Sequence, residues 1–395
     1  MKKYTFLLMA VIIAAFSSCK DKDADQNAEL KTAVVQQYSN IVFANYSDTY
    51  SRTLAMKSAI DAFVGSPSPT SHQAAKDAWL LARESYGQTE AFRFADGPID
   101  DADGPEGLLN AWPLDEIYID YVVGSPLAGI VNDSSVTIDK ATLETLNELG
   151  GERNISLGYH AVEFLLWGQD DADASLLTSG SRPYTDYIDG ANGTAENQIR
   201  RGRFRQLAAE ILLENLQSLV TEWEAGSASN YRMTFESLDN DRALRRIFSG
   251  IGILSKSELA GERIFTALDN QSQEDEHSCF SDNTHRDIIT NFLGIKNIYE
   301  GQYTRADGSV VVGASLKELA AEYDQTLTAE INDYVNNTWT YVNAIPVPFD
   351  NALGQENVGG SGPIQTAVNS LVTLGDKFAE LAGKMDITIS TALPE

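Results

Sequence analysis

The chain predicts an all-α fold of helical bundles with one minor β hairpin, and three observations carry that prediction. Apolar residues recur at helical spacing over long stretches. Glycine and proline clusters cut those stretches into helix-sized pieces. No alternation of strand and helix patterns runs through the sequence, which argues against a doubly wound sheet and for bundles. At 395 residues the chain has room for more than one core.

In chain order, residues 28–64 read as one long helix, with Leu30, Val34, Ile41, Val42 and Leu54 at helical spacing. Gly65-Ser-Pro-Ser-Pro-Thr70 stops it, and Thr70 or Ser71 is expected to cap a second helix running to about Ala95. Residues 96–106 form a loop rich in Asp, Gly and Pro, and residues 112–123 fit either a short helix or extended chain. Helices are expected over 139–149, closed by Gly150-Gly151, over 153–167 and over 196–224. Residues 226–231 are a polar break and mark the expected boundary between a domain of residues 28–227 and one of 228–395. Residues 238–268 and 284–299 read as helices, and Asp307-Gly308 between extended residues predicts the hairpin. One long helix is expected over 316–342, a last one over 364–382, and a stray strand at 388–390.

The first residues carry a different signal. Lys2 and Lys3 precede the apolar run 6–16, which is too short to span a bilayer permanently, as that needs ~20 residues. Residues 1–19 therefore read as a signal peptide. Phe16-Ser-Ser-Cys19 resembles a lipobox, so acylated Cys19 is the expected membrane anchor. Residues 20–27 are polar and charged and read as a flexible tether. Lys20-Asp-Lys-Asp23 resembles an acidic stretch that sends lipoproteins to the cell surface. The expected location is the cell envelope, at the outer membrane, periplasmic or surface-exposed. With Cys19 acylated, Cys279 has no partner for an intrachain disulfide and reads as a buried structural thiol. A formal net charge of −28 excludes nucleic acid as a partner, because phosphate binding needs a basic surface.

Chemistry-bearing residues fall in stripes on apolar helices. Arg153, Ser156, His160 and Glu163 share one face at spacings of three and four, within a segment apolar nearly all round. Arg83, Tyr86, Glu90 and Arg93 repeat the pattern, and so do Ser255, Glu258 and Glu262. A solvated helix face often carries charges at this spacing. Three such stripes in apolar settings instead favour one buried polar cluster, because a buried carboxylate needs a partner. The acidic loop 272–285 holds His277 and His285, two of the four histidines in the chain, while His72 sits at a helix start and reads as exposed. His-x-x-Glu places a nitrogen and an oxygen donor one helical turn apart, which suits zinc or iron. No His-Glu-x-x-His, phosphate loop, Gly-x-Ser-x-Gly or Cys-x-x-Cys is present.

These residues also carry a family likeness. Gly158-Tyr-His-Ala-Val-Glu163, followed by Phe-Leu-Leu-Trp-Gly-Gln-Asp170, resembles the Gly-x-His-x-x-Glu motif of the imelysin family. Tyr86-Gly-Gln-Thr-Glu90, Gly97-Pro-Ile-Asp100, Trp112-Pro-Leu-Asp-Glu116, Glu258-Leu-Ala-Gly-Glu-Arg263 and residues 273–285 resemble it too, in order and over nearly the whole mature body. The resemblance implies two pseudo-symmetric domains of four-helix-bundle type with a site at their interface. It implies a link to iron acquisition, and the family is also classed with metallopeptidases. Three readings are open. The leading one is a metal-linked binding lipoprotein of iron uptake that works with outer-membrane uptake partners. The others are a zinc-dependent peptidase, and a non-catalytic scaffold locked by buried ions. His160 and Glu163 are expected as metal ligands, completed by His277 or His285. Glu90, Arg93, Asp100, Glu258, Glu262, Asp275 and Asp282 are expected around them, because a buried imidazole and carboxylate need compensating charges.

Overall fold

The computed structural model describes residues 20–102 and 104–394, with side chains from Asn27 onward. The signal peptide, the lipobox and Cys19 lie outside the described residues. Helix α1 spans Lys20–Gly65. Residues 20–27, expected as a tether, form its first turns; they hold no Gly or Pro to stop a helix that is already nucleated downstream. Ser68, rather than Thr70 or Ser71, caps α2 (Pro69–Thr89). Its side chain accepts from the Ser71 amide, Ser71 answers in a capping box, and Pro69 fills the first helical position, where no N–H is needed.

The expected helix 153–167 begins only at Gly158, as α3 (Gly158–Trp167). Gly158 has φ +89°, and a Cβ there would also press on the Leu109 carbonyl. A left-handed residue cannot sit inside an α-helix, so Arg153 and Ser156 drop out of the stripe. Then come α4 (Gln198–Trp223) and α5 (Asn240–Ile253), the latter capped by Asp239. From α5 the chain continues without a break into a π-helix, Leu254–Phe265. Helix α6 (Thr284–Glu300) ends at Gly301, with φ +64°. The antiparallel hairpin follows, with β1 (Gln302–Thr304) paired to β2 (Val310–Val312). The expected helix 316–342 is two, Leu316–Tyr323 and α7 (Gln325–Val342), because the Asp324 side chain accepts from the Thr326 and Leu327 amides and starts a new helix. Helix α8 is Pro363–Lys384, and residues 388–390 form no strand.

Helices α1, α2, α3 and α4 pack on one another. The π-helix, α8, α7 and α6 close a second ring in that order. The two groups meet where α2 lies along α6 and α1 along α5. The α2–α6 crossing is tight at glycines. A Cβ on Gly87 would run into the Thr290 side chain, and one on Gly294 into the Gln88 carbonyl. No described helix is long and apolar enough to cross a membrane.

Candidate functional site

The α2–α6 crossing brings Arg83 against Asp287, both buried. The guanidinium donates from Nε to Asp287 Oδ1 at 3.2 Å, and Nη2 lies 3.0 Å from Oδ2. This is the two-pronged pairing that suits arginine and carboxylate. Burial would push the Asp287 carboxyl up, but Arg83 and His277 outweigh it and hold it far below the usual range. His277 Nδ1 sits 3.2 Å from Asp287 Oδ2. Asn110 then bridges, accepting from Arg83 Nη1 at 2.6 Å and donating to Glu90 Oε1 at 3.1 Å. Glu90 is held by Arg263 Nη2 at 2.7 Å; burial would raise its carboxyl, and Arg263 and Arg93 more than reverse this. Arg263 also pairs with Glu258 at 2.8 Å, and Glu258 with Arg93 at 3.3 Å. Beyond Arg93 lie Glu106 at 3.3 Å and exposed Asp100 at 3.7 Å. Burial first, then neighbouring Glu90, pushes the Glu106 carboxyl up to about 7 against the pull of Arg93.

The motif residues lie at the other end. His160 and Glu163 are fully buried, and His160 Nδ1 faces Glu163 Oε2 at 3.0 Å. Glu163 Oε1 accepts from the Ser281 amide at 3.0 Å and its hydroxyl at 2.6 Å. Burial raises the Glu163 carboxyl to about 8, although Ser281 and Arg83 oppose this. Burial also drives the His160 imidazole well below its ordinary value, with the charges of His277 and Arg83 adding to it. His277 falls to about 4, by burial and then by Arg263. Both rings are therefore neutral at pH 7. They meet edge to face with centroids 4.7 Å apart, and half-buried Trp112 lies over both. His160 Nε2 has no hydrogen-bond partner.

A family model described as Imelysin matches residues 42–378. The chain belongs to the imelysin family. Iron-regulated protein A of Synechococcus elongatus is 23% identical over 375 residues, covering 93% of this chain and 89% of that protein. A crystal structure from Parabacteroides distasonis, described as an iron-regulated protein A precursor, superposes with a TM-score of 0.67 at 20% identity, covering 90% of this chain and 95% of that one. An imelysin-like protein from Psychrobacter arcticus gives 0.64 at 13% identity, covering 92% and 98%. These structures share the all-helical fold.

Within this imelysin, His160, Glu163, His277, Glu90, Glu258 and Arg93 join one continuous polar region. Four expected residues stand apart from it. Glu262 is exposed, and Arg263 takes its place. The cause is the π-helix: its i→i+5 repeat puts Glu258 and Arg263 on one face, where Arg263 Nε donates to Glu258 Oε1 at 2.9 Å. Asp275 accepts from Asn270 at 2.8 Å, away from the histidines. His285 faces a surface hollow beside Glu84 and Arg286, with Nδ1 3.1 Å from the Asp282 carbonyl. Asp282 belongs to a separate carboxylate group. Among the described residues, only Asp170, Asp282 and Asp350 bring three ligand atoms within 4.8 Å of one another, so His160, Glu163, His277 and His285 do not assemble as the expected ligand set. Glu163 is already engaged by His160 and Ser281. His72, expected as exposed, is buried, with Nε2 2.8 Å from the Leu166 carbonyl and its ring stacked on Phe63. Cys279 is a free, buried thiol.

Asp287, Asn110 and Arg83 are central here yet are not among the expected site residues, although Arg83 stands in a stripe. Asp287 does carry a signal, as an acid directly before Ile288, Ile289 and Phe292 on an inward helix face.

Proposed function

We propose that this imelysin is an exported lipoprotein, anchored through Cys19, that takes up an iron-containing ligand where its two helical groups meet. The groups act as the two domains, and an outer-membrane uptake partner receives or delivers the cargo. One observation carries the reading: a fully buried imidazole nitrogen, His160 Nε2, without a partner beside a second neutral imidazole, His277. A buried polar atom left unpaired costs free energy, and a bound metal is one way to satisfy an imidazole nitrogen. The donor set fits a borderline metal such as iron. His160 and His277 would hold it, while Asp287 and Glu163, the latter losing its proton as the cation binds, would orient the rings through Nδ1, as carboxylates do behind metal-bound histidines. Glu163 is thus an orienting group in this reading rather than a ligand. The name iron-regulated protein A, borne by relatives, supports iron over zinc.

A second reading rests on the pairing of Arg83, Asp287, Glu90, Arg263 and Glu258 across the two groups, which suits a lock between bundles. The peptidase reading needs Glu163 as a metal ligand, and Glu163 is already engaged by His160 and by the Ser281 amide and hydroxyl.

The deciding experiment is elemental analysis, after loading with ferrous or ferric iron, of the wild type, His160→Ala and Glu163→Ala. Stoichiometric iron in the wild type, lost in His160→Ala and weakened in Glu163→Ala, is expected. Equal, substoichiometric iron in all three would overturn the binding reading and leave the lock.

A further inference from the structure

We infer that Asp170, Asp282 and Asp350, with buried Glu276 near them, form a second site, separate from the histidines, for a hard divalent cation, and that the cation is calcium. One carboxylate oxygen from each aspartate lies within 4.8 Å of the others. Oxygens sharing one calcium at ~2.3–2.6 Å are at most ~5 Å apart, so a single ion can reach all three. An all-oxygen donor set selects calcium or magnesium over iron or zinc, and irregular carboxylate spacing suits calcium, which tolerates flexible geometry.

Glu276 supplies an independent observation. It is 1% exposed, and neither of its carboxylate oxygens has a hydrogen-bond partner. The Thr284 hydroxyl, which accepts from the Ser278 amide and keeps its own proton to donate, is the favourable neighbour acting on it. The other charges acting on Glu276 are those of Asp350, Asp282 and Asp170, all of its own sign. Asp350 is 6% exposed, and its Oδ1 is also unpartnered. This is the reverse of Asp287 and Glu90, each of which has an arginine. Buried carboxylates without cations are costly; they must either take up protons, as Asp170 and Asp282 do by sharing a hydrogen bond, or be compensated by a metal ion, which would displace those protons. Their crowding is visible in their acidity: burial, then neighbouring carboxylates, pushes Asp282 up to about 7.

The site ties together distant parts of the chain. Asp170 follows α3 by three residues, Glu276 and Asp282 flank the loop before α6, and Asp350 lies in the short helix Phe349–Leu353. His277 adjoins Glu276, and Ser281, the partner of Glu163, adjoins Asp282. A bound ion would therefore clamp the loop that delivers both to the histidine site.

The test is calorimetric titration of the chelator-stripped mature chain with calcium chloride, paired with thermal unfolding. We expect saturable binding of a single ion and a raised Tm. The double variant Asp282→Asn/Asp350→Asn should lose both, while His160→Ala keeps both. Removing like charges should leave the metal-free double variant at least as stable as the metal-free wild type, and that comparison shows it is folded. Should it not fold, Glu276→Gln with terbium luminescence replaces it, and lost terbium binding is expected. No saturable calcium binding, undiminished binding in the acid variants, or binding abolished by His160→Ala would each overturn the inference. None of these outcomes depends on iron, so the two sites fail or stand separately.

Discussion

His72 shows how one buried side chain sets a pH dependence. Its ring is stacked on Phe63 and 7% exposed, and burial followed by the Lys76 charge lowers it to about 4. A group held below its unfolded value near 6.5 favours folding when neutral. Its contribution is fully present above pH 6.5 and is lost as pH falls towards 4. Denaturant unfolding at pH 7.5 and pH 4.5 should therefore show a loss that shrinks by roughly 1–3 kcal/mol in His72→Gln. An equal loss in both proteins would refute this account. At the same scale, the candidate site is partly legible in the sequence. His160, Glu163 and Glu90 stand out because they interrupt apolar runs, and the structure buries all three. His72 misleads because polar neighbours at a helix start resemble a solvent-facing cap, whereas burial there depends on what α3 and α4 lay over it. Glu262 misleads because a count in steps of three and four cannot foresee a five-residue repeat.

At the scale of elements, the crossing of α2 and α6 decides whether the site exists. Gly87 and Gly294 let the backbones approach, and that approach puts Arg83 within reach of Asp287. Gly294→Ala should cost roughly 1–3 kcal/mol by overpacking and should weaken iron loading with it. Gly383→Ala, on α8 with nothing near its added Cβ, should be neutral or slightly stabilising. If both glycine variants behave alike in thermal unfolding, close approach is not what Gly294 provides. Helices, breaks and the hairpin are readable because periodicity and turn residues are local. Helix starts are less so. Asp324 splits one expected helix with a cap, and Gly158 delays another with a backbone angle, and neither event changes the hydrophobic pattern around it.

Over the whole molecule, the polar region gathers residues from 83 to 287, and no local pattern reports which helices will cross. That is why Asn110 and Asp287 escape a sequence reading while the fold class does not. Attachment is a whole-molecule property too. The anchor proposed above rests on acyl chains at Cys19. Cys19→Ser should move the protein into the soluble fraction of a cell lysate. A variant that stays with membranes through a high-salt wash would remove the lipobox from the account. The π-helix, finally, acts on everything beyond it as a change of phase. Each residue added to or taken from a helix turns the downstream chain by about 100°. Leu254–Phe265 therefore sets the angle at which the short helix Thr266–Asn270 leaves Phe265 and leads into the loop bearing Glu276 and His277. In this protein the aim of the histidine loop is written in the length of a helix as much as in its side chains, and a lineage that gained or lost one residue there would point that loop elsewhere without altering a single donor atom.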